Sequence, residues 1–157
     1  IRNRIHTDYQ LEYKNNEILV GSGAKHVLYN LFNVLIDEGD EVLIPAPYWV
    51  SYPEQVKISG GVPIILTTNQ NDDFKVSPKQ IASRCTDKTK ILVLNYPSNP
   101  TGSTYNKKEL EKIAEVVKEK NLIKTELIES VEEENIEIAF PQMDVHMKSD
   151  GPDIPRG

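Results

Sequence analysis

The period of the apolar positions changes along the chain, and the changes mark out its elements. Val27, Leu28, Leu31, Phe32, Leu35 and Ile36 fall at helical spacing and predict an amphipathic helix. Residues 41–44, 62–66 and 91–94 are short runs of strand length. Of these, 91–94 is apolar throughout, the pattern of a strand buried on both faces. Residues 18–20 are a further strand candidate. Residues 1–13 read as the end of a helix, and 50–59 as a short helix closed by Gly60 and Gly61. Gly39 is placed to end the helix before it. Residues 67–73 read as a polar connection and 74–76 as a short extended piece. Ser77 as N-cap and Pro78 at the first helical position open a helix to about residue 84. Asn106, with Glu109 three residues on, forms a capping box ahead of a helix whose buried stripe is Leu110, Ile113, Val116 and Val117. Strand–helix alternation of this kind predicts an α/β fold: three layers, a mainly parallel sheet, helices on both faces. The right-handed crossover rule then brings the turns after the strands to one edge.

Three of those turns carry candidate chemistry. Gly21-Ser22-Gly23-Ala24-Lys25 feeds a helix N-terminus, where unpaired backbone N–H groups and the helix dipole favour an anion. Many glycine turns of this kind bind nothing. Pro45-Ala46-Pro47-Tyr48-Trp49 is a rigid turn presenting two aromatics. Trp49, the only tryptophan, reads either as a packing residue or as a flat platform for a ligand ring. The third turn follows the run 91–94. The strand stops at Asn95, Pro97 and Pro100 cannot extend it, and Asn99, Thr101 and Gly102 follow. Open α/β sheets bind ligands at this carboxyl edge; an ordinary strand-to-helix turn is the plainer alternative.

A length of 157 residues fits one domain, and 27% charged with 38% hydrophobic residues is a globular rather than a disordered balance. The net charge of −6 argues against nucleic acid or an anionic membrane as partner. No apolar run reaches membrane-spanning length and no signal peptide is visible, so a cytoplasmic protein is expected. The single cysteine, Cys85, excludes an intrachain disulfide and a multi-cysteine zinc site. With no histidine nearby it reads as a packing residue rather than a nucleophile. No metal site is expected.

Four motifs now stand in order and at matching spacing: residues 20–25 (Val-Gly-Ser-Gly-Ala-Lys), 39–42 (Gly-Asp-Glu-Val), 47–53 (Pro-Tyr-Trp-Val-Ser-Tyr-Pro) and 95–102 (Asn-Tyr-Pro-Ser-Asn-Pro-Thr-Gly). Together they resemble the large domain of class I/II aminotransferases, the aspartate aminotransferase-like branch, over about residues 2–122. The resemblance implies a fold-type I architecture, pyridoxal 5′-phosphate as cofactor, amino acid and 2-oxo acid substrates, and a homo-oligomer. It also implies roles. Gly23, Ala24 and Lys25 match the turn that holds the cofactor phosphate through its backbone. Trp49 matches the aromatic stacked on the pyridine ring. Asn99 matches the asparagine that bonds the phenolic oxygen and lies near the substrate carboxylate; the Asn–Pro bond after it is often cis in the family. Two features of the family pattern are not matched. No Asp-Glu-x-Tyr type motif occurs in residues 122–129, where Glu126 and Glu129 are substitutes by type only. No Schiff-base lysine or distal arginine segment follows. A fragment without a catalytic residue, inactive alone, is therefore the expectation.

Composition changes after Leu122. Residues 123–135 are glutamate-rich and helix-prone, and 136–147 alternate like a strand, break at Pro141 and resume. This tail, about 123–147, is similar to the carboxyl end of small-conductance mechanosensitive channel proteins. His146 reads as an exposed strand histidine rather than a metal ligand, and 148–157 as a flexible end. The expected organisation is thus a partial aminotransferase large domain over 1–122 joined to a helix–strand tail of different origin, by gene fusion, a rearranged frame or deliberate joining. The alternative function is a non-catalytic self-association module driven by the tail strand.

Overall fold

Strand β1, Glu41–Ala46, buries Val42, Leu43 and Ile44 completely. Successive strand side chains leave opposite faces, so three buried neighbours in a row require cover on both sides. The computed structural model describes residues 1–10, 12–18, 20–128 and 142–145, and supplies that cover. On one face, helices α2 (Ala24–Leu35) and α3 (Ser51–Ile58) carry Leu28, Phe32, Tyr52 and Val56 onto Val42, Ile44, Ile91 and Val93. On the other, α4 (Pro78–Arg84) and α5 (Lys107–Glu119) carry Ile81, Ile113 and Val117 onto Leu43, Leu66, Leu92 and Leu94. The alternating residues of β3 (Thr89–Tyr96) are shared between the two cores, as the unbroken apolar run 91–94 demands.

With β2 at Val62–Thr67, β4 at Ile123–Ile128 and β5 at Gln142–Val145, the sheet order is β2-β1-β3-β4-β5. The pairs β1–β2, β1–β3 and β3–β4 are parallel, and β5 runs antiparallel to β4. The chain steps outward from β1 to β2 through α3, then crosses back past β1 to β3 through α4. The direction of winding therefore reverses between β1 and β3. Their carboxyl ends part there, the place where such sheets form a ligand crevice.

The caps predicted from sequence are in place. The Ser77 hydroxyl accepts from the Gln80 N–H at 3.2 Å, and the Gln80 side chain accepts from the Ser77 N–H at 2.9 Å. The Asn106 side chain accepts from the Glu109 N–H at 3.0 Å, and the Glu109 carboxylate from the Asn106 N–H at 2.7 Å.

Several sequence expectations are corrected. Ile18 and Val20 are not assigned to a strand: Asn15–Glu17 is a short helical turn, Ile18 is extended without a ladder partner among the described residues, and Val20 is exposed. An extended segment becomes a strand only where a neighbour's edge is open to it. The amino-terminal helix α1, Arg2–Tyr9, ends short of residue 13. Helix α2 ends at Leu35, because Ile36 turns extended to enter the core; Gly39 serves the next turn instead. Phe74 is not extended. It sits at φ 55°, where its N–H closes a turn on the Asn69 carbonyl at 2.9 Å. Residues 123–128, helix-prone by composition, form β4, in register with β3 from Ile91↔Ile123 to Tyr96↔Ile128. The open edge of β3 overrides local propensity there. The expected strand at 136–140 and His146 lie outside the described residues, while 142–145 are strand, as the resumed alternation predicts.

Candidate functional site

The first part of the site is the turn into α2. Gly23 caps the helix at φ 89°, ψ 163°, a conformation essentially closed to residues with a side chain. Its carbonyl accepts from the N–H groups of His26 and Val27 at 3.1 and 3.2 Å, and the His26 Nδ1 accepts from the Ser22 N–H at 3.1 Å. The N–H groups of Ala24 and Lys25 lie in the first turn, ahead of any helical carbonyl that could take them. From the same turn the Lys25 ammonium stands 4.7 Å from the centroid of the Trp49 ring, a cation–π distance. The Lys25 carbonyl accepts from Gln55 Nε2 at 2.9 Å, which ties α3 to the start of α2. Trp49 is half-buried against the α2–α3 core, and its indole Nε1 is buried with no hydrogen-bond partner among the described residues.

The second part is a cavity of about 20 Å³ where β1 and β3 part, enough for about one water-sized group. Tyr48, Tyr52, Asn95, Ser98, Asn99, Ser103 and Tyr105 supply the polar side chains of its lining, and among the described residues no charged side chain lines it. The loop that presents Asn99 is closed on itself: the Ser98 N–H donates to the Ser103 carbonyl at 2.7 Å and the Gly102 N–H to the Ser98 carbonyl at 2.6 Å. The Asn99–Pro100 bond is cis, as the family resemblance implies, and so are Ala46–Pro47 and Tyr96–Pro97. The end of β1 is pinned by the Thr68 hydroxyl, which donates to the Ala46 carbonyl. The Tyr105 hydroxyl accepts from the Val76 N–H at 2.9 Å, and its ring meets Tyr96 edge-on at 6.0 Å. Burial pushes the Tyr105 phenol up from its ordinary value against the opposing effect of that hydrogen bond, so it keeps its proton.

The structure therefore brings Lys25 onto Trp49 directly, with Gly23 and Ala24 in the same turn. Asn99 shares its cavity with Tyr48, the residue before Trp49; Trp49 itself does not line that cavity. Sequence reasoning missed Asn95, Tyr105 and Gln55. Asn95 carries a readable signal, being the first polar residue after four apolar ones. The other two are fixed by bonds to Val76 and Lys25, 29 and 30 residues away, and carry none. Cys85 packs against the α4–α5 core, and burial raises its thiol pKa, in keeping with a packing role. Among the described residues, no group of three or more His, Cys, Asp or Glu could hold a metal, and no helix is long and apolar enough to cross a membrane.

Comparison with known proteins gives one consistent answer. Residues 1–124 match the family model for aminotransferase class I and II. The aspartate aminotransferase of Bacillus sp. (strain YM-2) is 56% identical over 116 residues, covering 74% of this chain and 30% of that protein. The aspartate aminotransferase of Bacillus subtilis (strain 168) is 49% identical over 123 residues, 78% of this chain and 31% of the relative. Among solved structures, the aspartate aminotransferase from Thermus thermophilus with maleate has a TM-score of 0.75 at 38% identity, covering 78% of this chain and 32% of that one. The aromatic aminotransferase from Pyrococcus horikoshii OT3 has a TM-score of 0.75 at 35% identity, covering 78% and 33%. The chain thus spans about a third of the length of the relatives it matches.

Proposed function

This chain belongs to the class I and II aminotransferase family, and on that premise we propose that it forms the cofactor-orienting part of a pyridoxal-phosphate-dependent site for amino acid transamination. The observation that carries this reading is the contact between Lys25 and Trp49, which sets an anion-binding turn beside an aromatic ring. The donor set fits the cofactor. A phosphate suits the first-turn N–H groups of α2 and the positive end of its dipole. Beside Gly23, the space a Cβ would enter meets no atom within 4 Å, so the backbone there is open to approach. A flat ring suits Trp49, and a neutral hydrogen-bonding lining suits the polar edge of that ring.

In this reading Gly23, Ala24 and Lys25 hold the phosphate, Trp49 stacks on the pyridine ring, and Asn99 donates to the phenolic oxygen close to the substrate carboxylate. When bound, the cofactor supplies the electron sink that lets an amino group pass between an amino acid and a 2-oxo acid. Orientation is what these residues provide. Transfer also needs a lysine that moves the proton and an acid at the ring nitrogen, and no family motif in these 157 residues supplies either. The proposed behaviour of the 157 residues alone, with the cytoplasm as their setting, is weak binding without turnover.

Titration with pyridoxal phosphate, following Trp49 fluorescence, tests the binding; an assay with aspartate and 2-oxoglutarate tests the turnover. Saturable quenching is expected. Its absence would end the cofactor reading. Turnover above the protein-free cofactor background, lost on Asn99→Ala, would show that the site is more complete than proposed.

A second reading has its own observation. Strand β2 is an edge strand with Val62 44% exposed, and Val34, Val50 and Ile58 are exposed on the adjoining helices and turn. An open edge beside apolar surface favours pairing between copies, so self-association is proposed whether or not cofactor binds.

A further inference from the structure

We propose that Asn95 is a ligand-binding residue of this site: its carboxamide is a donor–acceptor seat, on the cavity between β1 and β3, for one neutral polar atom of the bound ring. The proposal rests on the cofactor reading above. Asn95 is the penultimate residue of β3, and both its Nδ2 and its Oδ1 are buried with no hydrogen-bond partner among the described residues. An asparagine side chain offers two donors and an acceptor with two lone pairs. A fold rarely leaves such a group wholly unpaired, because burial removes the water it would otherwise bond.

The neighbours explain why it is unpaired. Leu94 before it is apolar and buried. Its partner in register on β4 is Leu127, a residue type with no polar side-chain atom. The Ser98 N–H and the Ser103 carbonyl bond each other, and the Tyr105 hydroxyl is engaged by the Val76 N–H. A residue whose role was only to hold the loop would be bonded to the loop.

The cavity decides what the amide takes. Among the described residues its lining carries hydroxyls and amides but no charge, so it suits a hydroxyl, a ring nitrogen or a water. A phosphate would find no counter-charge among those side chains, whereas the start of α2 offers N–H groups and the helix dipole. With room for about one water-sized group, the seat takes a single polar atom. Two sources of that atom are chemically alike: an edge atom of the bound ring, or a water that never leaves. They differ in what happens when the amide is removed.

The test is Asn95→Leu, which removes both polar atoms and keeps the same branched skeleton of heavy atoms, with Asn95→Ala as a second variant that does not depend on fitting the bulkier leucine. If the seat serves the ligand, the ligand-free protein is relieved of an unpaired amide, and Asn95→Leu raises its melting temperature by about 2–4 °C. Affinity for pyridoxal phosphate, read from Trp49 fluorescence, falls about tenfold in both variants. Affinity for inorganic phosphate, read by calorimetry, stays unchanged because that anion uses the α2 turn. If both variants unfold, or Asn95→Leu melts lower while binding pyridoxal phosphate as the parent does, a permanent water or a structural bond holds the amide and the proposal is overturned. Equal losses for both ligands would also overturn it, as damage to the whole site. A parent protein that does not respond to pyridoxal phosphate removes the cofactor reading and this proposal together. A parent that responds with variants that respond equally removes this proposal alone.

Discussion

Gly23→Ala separates a backbone requirement from a side-chain one. At φ 89° and ψ 163° the residue occupies a region that only glycine enters at low cost. A Cβ built there would meet nothing within 4 Å, so the whole penalty is conformational, about 1–3 kcal/mol. The chain has two ways to meet it. It can keep the turn and lose that much stability, about 2–4 °C of melting temperature per kcal/mol for a chain of this size. Or it can relax the turn and rotate the first N–H groups of α2 away from their common direction. The turn is short, exposed at Ser22 and Lys25, and held by few bonds, so relaxation is expected to dominate. The penalty then falls on anion affinity, as a loss of about tenfold or more. Gly39→Ala is the control. Gly39 also has a positive φ, 85°, with open space around it, but lies at the opposite edge of the sheet, where its N–H bonds the Gly60 carbonyl at 3.0 Å. It should lower the melting temperature and leave binding intact. The assay is a thermal melt of each variant beside a pyridoxal phosphate titration read from Trp49. A Gly23→Ala protein that binds as tightly as the parent would refute the assignment of the phosphate to this turn.

Asn106→Ala removes a cap and should cost about 1 kcal/mol, measured by denaturant unfolding. The Asn106 N–H, and after it Lys75 at 3.1 Å, hold the Glu109 carboxyl below its ordinary value of 4.5. A lowered folded pKa gives stability that is present above the ordinary value and lost as pH falls through the folded one; Glu109→Gln should flatten that acid limb of a melting-temperature profile. Ile113→Ala, at a side chain 1% exposed beneath α5, should destabilise by about 2–5 kcal/mol in the same unfolding experiment. Val62→Lys on the β2 edge should shift sedimentation toward the monomer; an unchanged distribution would place the association elsewhere.

The local part of the fold is legible in the sequence because its causes are local. Ser77-Pro78 and Asn106 with Glu109 set helix starts through bonds spanning three residues, and the run 91–94 announces a doubly covered strand by composition alone. The turns holding Gly23, Trp49 and Asn99 are visible for the same reason, each being a break that follows from its own residues. Tertiary structure decided what those breaks meet. Ile18 and Val20 come from a run of strand composition but take no place in the described sheet, while 123–128 have helical composition and pair with β3, where the neighbour prevailed. The order β2-β1-β3, which parts the strand ends over a cavity, depends on which side of the sheet each crossover takes. Asn95 shows the limit most clearly. Its sequence position marks only the end of a strand, whereas an amide left without a partner among the described residues is a property of everything packed around it, and no window of sequence contains that.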